Sequence, residues 1–161
     1  MTSHIISKIS ITDGERTVIA NHLKREQETA LKDLLQNNHF KPLNLQDGPY
    51  DLDLSIQEGR LVLQIRSITG QDLNSYVLSV KPYRRLIEDY FLMIRSHEKA
   101  RLEGRQEKLE AIDMGRRGLH NEGAQLLIDR LQDKIEIDFE TARRFFTLIC
   151  VLHEKHLRLM R

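Results

Sequence analysis

The stretch from Asp51 to Val80 constrains the fold more than any other part of the chain. It contains short runs in which apolar and polar residues alternate with period two, the pattern of half-buried strands. Leu52, Leu54 and Ile56 alternate with Asp51, Asp53, Ser55 and Gln57, and Leu61, Leu63 and Ile65 alternate with Val62, Gln64 and Arg66. A two-residue loop at Glu58-Gly59 sets Leu54 opposite Leu63, Leu52 opposite Ile65, and Asp51 opposite Arg66, an opposite-charge cross-strand pair. A second two-residue loop at Gly70-Gln71, glycine first as a type II′ turn prefers, sets Ile65 opposite Tyr76, Leu63 opposite Leu78 and Leu61 opposite Val80. Both turns put one apolar face on the same side. Such a face needs a cover, and the helical patterns after Pro82 supply it. The expected fold is α+β in two layers, an antiparallel meander of three to four strands packed against a C-terminal helical half.

At 161 residues the chain is long enough to bury most of its unfolded surface in a single domain. Residues 1–80 form the β-rich half with one helix, and residues 81–161 the helical half. Before the meander, alternation over residues 5–12 reads as a short strand, and Asn21 to Leu35 as a polar-rich helix with Leu23, Ala30, Leu31 and Leu34 on its apolar side. Pro82 suits a helix's first turn. After it Tyr83, Leu86, Ile87, Tyr90, Phe91 and Ile94 follow helical spacing, with an end expected between Ser96 and Gly104. A last helix from Phe139 to Leu157 is entered through Asp138 as N-cap, and its middle is apolar nearly all round, so it is expected to be the most buried. The short Ile135-Glu136-Ile137 before it reads as a strand or a connection.

Charge excludes some function classes. The chain has 25 Lys+Arg against 24 Asp+Glu, which argues against a tail-driven nucleic-acid binder, because affinity for phosphate backbones scales with the phosphates neutralised. The balance is not uniform: residues 1–80 carry 8 basic and 10 acidic side chains, residues 81–161 carry 17 and 14. The lone Cys150 lies in the apolar run Phe145–Leu152 and reads as an inert packed thiol in a reducing compartment. The N-terminal residues have no secretory pattern, and that apolar run is far below the roughly 18 residues a spanning helix needs. A soluble, cytoplasmic protein without membrane attachment is expected.

Functional side chains concentrate between Ala111 and Ala124. Three glycines there, Gly115, Gly118 and Gly123, first read as a loop, since each costs about 1 kcal/mol in a helix interior. Periodicity argues otherwise. At about 100° per residue, Ile112, Gly115, Leu119, Gly123 and Leu126 share one sector, and Asp113, Arg116, Arg117, His120 and Asn121 the facing one. A helix from about Gln106 to about Leu131 follows, in which Gly115 and Gly123 admit a close neighbour. The alternative has Gly118 ending one helix and the next beginning near Asn121.

In either case the set has a chemistry. Arg116 and Arg117 can hold a phosphate or carboxylate bidentately, His120 can donate to the same anion or move a proton, and Asp113 can orient either. Asn121 and Glu122 complete the candidate binding segment. The competing reading is a helix surface carrying an Asp113–Arg117 pair at i,i+4, with His120 and Asn121 bonded to adjacent structure. Arg pairs recur at Arg84-Arg85, Arg116-Arg117 and Arg143-Arg144, one per helix, and their convergence would make an anion site; chance placement is the simpler expectation. No cofactor or metal is expected, because His153 and His156 at i,i+3 with Glu154 lack further ligands.

The segment Glu110 to Ala124, with Ile135-Glu136-Ile137-Asp138-Phe139 and Thr141-Ala142-Arg143-Arg144-Phe145-Phe146-Thr147-Leu148, resembles uncharacterised protein family 0262 of alphaproteobacteria. Gly48-Pro49-Tyr50, Lys81-Pro82-Tyr83-Arg84-Arg85 and Asp89-Tyr90-Phe91 extend the resemblance over most of residues 40–153. It implies a small bacterial cytoplasmic protein and assigns no catalytic residue. The leading expectation is a non-enzymatic binding or regulatory domain that engages a small anionic ligand or a protein partner through Asp113–Glu122. The runner-up is an enzyme on a phosphorylated substrate, with His120 and Asp113 in the catalytic roles and Arg116 and Arg117 as the anion clamp. Nucleic-acid binding is least favoured.

Overall fold

The structure is a computed structural model that describes residues 3–12 and 21–159, with side chains defined over 3–11 and 23–154. The chain folds as α+β. Strand β1 (Ile6–Thr12) and helix α1 (Asn21–Gln36) are followed by β2 (Phe40–Pro42), β3 (Tyr50–Gln57), β4 (Arg60–Ser67) and β5 (Asp72–Ser79). A 3-10 turn at Lys81–Tyr83, with Pro82 in it, opens α2 (Arg84–Leu102); then come α3 (Gln106–Leu131), β6 (Ile135–Ile137) and α4 (Phe139–Leu159).

The first hairpin has the predicted register, with Leu52 opposite Ile65, Leu54 opposite Leu63 and Asp51 opposite Arg66. Its turn residues Glu58 and Gly59 both take positive φ, 53° and 73°, the geometry whose twist matches the flanking strands. The second hairpin differs from expectation. Leu61 faces Leu78, Leu63 faces Tyr76 and Ile65 faces Asn74, two residues away from the predicted pairs. The loop is Ile68-Thr69-Gly70 rather than Gly70-Gln71. Ser67 closes it, accepting from the Gly70 N–H at its carbonyl and from the Gln71 N–H at its Oγ, while Gly70 takes φ 93°. An offset of two residues keeps the same side chains facing inward, so the buried face is as expected although its partners are not.

The four-stranded sheet has the order β1-β3-β4-β5, and β1 runs parallel to β3, joined by a crossover that contains α1. The meander is therefore extended by a parallel strand. A register irregularity between Ile6 and Lys8 changes which side chains point inward: Ile5 is exposed, Ile6 is buried, and Ile9 and Ile11 pack against the core. Asn38 completes the irregular place, its carboxamide accepting from the Ile6 N–H at 2.8 Å and donating to the Ile6 carbonyl at 3.0 Å. Strands β2 and β6 form a separate two-stranded sheet, so Ile135–Ile137 is a strand.

One apolar cluster runs from Ile6 to Leu152 and joins both halves. Helix α4 is its axis. It packs against α1, α3 and β3, and Phe145, Phe146, Leu148, Ile149, Cys150, Val151 and Leu152 are all buried. Asp138 caps it as predicted, its Oδ1 accepting the Thr141 N–H at 2.9 Å. Helix α3 packs against α2 on one side and α4 on the other. Among the described residues no helix is long and apolar enough to cross a membrane.

Candidate functional site

Helix α3 is continuous over the predicted span, and Gly118 does not break it. Nothing lies within 4 Å of a Cβ placed at Gly118, whereas one at Gly123 would overlap the Phe146 ring and one at Gly115 would meet Met93 Cε at 3.0 Å. The two outer glycines are the close approaches to α4 and α2, as expected. Two flanking helices give α3 a wide buried arc: Leu119, His120, Gly123, Ala124, Leu127 and Leu131. His120 thus lies on the packed face, which corrects its assignment to the polar sector with Asp113 and Asn121.

Two clefts open along the groove beside α1. The first, of about 290 Å³, lies between α1, α3 and α4 and brings Arg116 and Arg117 together with Arg143 and Arg144. Asp113, His120 and Thr147 line it too, and α1 contributes Glu26, Thr29 and Asp33. Two of the three Arg pairs therefore converge, against the expectation of chance placement, because α3 and α4 pack side by side with these turns level. Arg84 and Arg85 are elsewhere: Arg84 pairs with Glu88 at 3.7 Å, and Arg85 with Asp89 at 3.3 Å and Glu122 at 2.5 Å. Glu122 thus faces α2 rather than the cleft, and Asn121 is exposed outside both clefts.

The guanidiniums are not equivalent. Arg116 Nη2 is held by Glu26 Oε2 at 2.6 Å, a half-buried pair that ties α3 to α1. Arg144 reaches Asp33 at 3.8 Å and Glu140 at 3.6 Å, and Arg143 reaches Glu140 at 3.4 Å. Arg143 also keeps a buried Nε without a hydrogen-bond partner. Arg117 is exposed and has no ion pair among the described residues. The recurrence of Arg pairs in the sequence was the signal for Arg143 and Arg144, but it is Arg116-Arg117 and Arg143-Arg144 that meet, without Arg84-Arg85.

Both ring nitrogens of His120 are engaged, Nδ1 with the Arg116 carbonyl at 2.9 Å and Nε2 with Thr147 Oγ1 at 3.1 Å. A carbonyl only accepts, so Nδ1 carries the proton. Burial pushes the imidazole below its ordinary range, and the nearby arginine charges lower it further, while the hydrogen bond to the Arg116 carbonyl opposes. Asp113 Oδ1 lies 3.7 Å from His97 Nε2 on α2. Cys150 is fully buried, and desolvation holds its thiol far above the usual range. The side chain of His156 lies outside the described residues.

The second cleft, also about 290 Å³, lies between α1, α2 and α3, with Tyr90, Met93, Ile94 and Ile112 as its apolar lining. It shares Glu26, Thr29 and Arg116 with the first.

Comparison with known proteins gives the lineage. The model of the uncharacterised protein family UPF0262 matches residues 3–155, nearly the whole chain. The chain belongs to UPF0262. It is 47% identical over 142 residues to a UPF0262 protein of Rhizobium etli, covering 88% of each chain. A UPF0262 protein of Brucella anthropi is 49% identical over 132 residues, covering 81% of this chain and 82% of its own. One of Xanthobacter autotrophicus is 42% identical over 151 residues, covering 93% and 92%. No solved structure matches the chain. These relatives are bacterial, and the cleft residues lie inside the matched span.

Proposed function

We propose that this UPF0262 chain is a cytoplasmic binding module for a small anion bearing a phosphate or carboxylate group, seated in the cleft between α1, α3 and α4. The observation that carries this reading is the meeting of Arg116-Arg117 with Arg143-Arg144 at one concave surface, although the pairs lie on different helices. Among the described residues Arg117 brings a guanidinium without an ion pair and Arg143 a buried Nε with no hydrogen-bond partner. A buried donor left unbonded is uncommon, and an anion would satisfy it. A recessed site of this size favours a small ligand over a protein surface.

The alternative, an enzyme with His120 as acid and base, has less support. Its Nδ1 proton is committed to the Arg116 carbonyl and its Nε2 to Thr147, so neither nitrogen is open toward the cleft.

Isothermal titration with inorganic phosphate tests the reading. The native chain is expected to bind, and Arg117→Ala to lose at least tenfold in affinity with an unchanged melting temperature, as an exposed side chain without an ion pair should. Equal affinity in Arg117→Ala overturns the site. Release of phosphate from a phosphomonoester by the purified chain overturns the non-enzymatic reading.

A further inference from the structure

We propose that the ligand is an amphipathic anion whose charged head rests against Arg117, Arg143 and Arg144 and whose apolar body extends past Arg116 into the second cleft, over Met93, Ile94 and Ile112. This inference rests on the anion-site reading and adds a ligand class to it. The two clefts adjoin along α1, sharing Glu26, Thr29 and Arg116 as walls, with the Arg116–Glu26 pair between them. They differ in chemistry along its length. The first end is lined mainly by charged and hydroxyl side chains, whereas the second sets Tyr90, Met93, Ile94 and Ile112 among charged side chains that include Arg25, His97, Glu98 and Arg101.

Charge pairing sets the direction. At the second end Arg101 is held by Glu98 at 2.6 Å, His97 faces Asp113 at 3.7 Å, and Arg116 is held by Glu26, leaving Arg25 exposed at the rim without an ion pair among the described residues. At the first end Arg117 likewise has no ion pair among the described residues, and beside it Arg143 keeps a buried Nε with no hydrogen-bond partner. The unbonded Arg143 donor beside Arg117 and Arg144 therefore favours the head group at the first end, and the apolar side chains favour the body at the second.

Titration of the full chain with inorganic phosphate and hexyl phosphate tests this. Hexyl phosphate is expected to bind at least tenfold more tightly than inorganic phosphate, because a few buried methylenes suffice for that factor. Ile112→Ser, which adds no charge, should remove most of the alkyl gain while inorganic phosphate, which does not reach the second cleft, binds as in the native chain. Equal affinities for inorganic and hexyl phosphate overturn this inference alone, while failure of every phosphate to bind overturns the anion site itself. Arg117-dependent pelleting with phosphatidic acid vesicles identifies a bilayer lipid as the source of the same chemistry, and its absence a free molecule.

Discussion

His120 shows how one side chain couples the cleft to the core. Its ring packs edge-on against Tyr90 and Phe146 while its nitrogens join α3 to α4 through Thr147. Burial lowers its pKa, so between the folded value and the ordinary 6.5 the unfolded chain binds the proton and the folded chain does not. Stability from this residue is complete above the unfolded value and is lost as pH falls below it. Melting temperatures are expected to drop more for the native chain than for His120→Gln between about pH 7 and about pH 5; parallel curves would remove His120 as the cause. Asn38 gives a second residue-scale prediction. Because its carboxamide bonds both backbone groups of Ile6, Asn38→Ala should lower stability by about 1–3 kcal/mol in urea unfolding.

At the scale of elements, α3 decides the most. Its ends were legible because apolar and polar residues sort with helical period from Ile112 to Leu126, outweighing three glycines. Which of its faces is buried was not, because that depends on having neighbours on two sides, α2 and α4, and no single period reports two packed faces. The glycines give a matched test by urea unfolding. Gly118→Ala fills open space and should stabilise by about 0.5–1 kcal/mol. Gly123→Ala drives a methyl into Phe146 and should destabilise by about 1–3 kcal/mol. The strands show a parallel contrast. Glu58-Gly59 specifies its own turn, so the first register could be read; the Ser67–Gln71 loop is closed by side-chain hydrogen bonds that alternation does not encode. Strands β2 and β6 have three residues each, too few to show a period.

Across the whole molecule, near-equal positive and negative charge conceals a sorted arrangement. The Arg84-Arg85 pair is absorbed by acids of α2 and α3, whereas Arg116-Arg117 and Arg143-Arg144 meet over one cleft that α1 closes with Glu26 and Asp33. Sequence supplied the pairs; only the packing of α3 beside α4 supplies their convergence. The most direct test follows the arginine Nε–H signals by nuclear magnetic resonance as inorganic phosphate is added. Saturable shifts confined to Arg117, Arg143 and Arg144, with Arg84 and Arg85 unmoved, are the expected result. Shifts of all arginines alike, or of none, would contradict an anion site in this cleft.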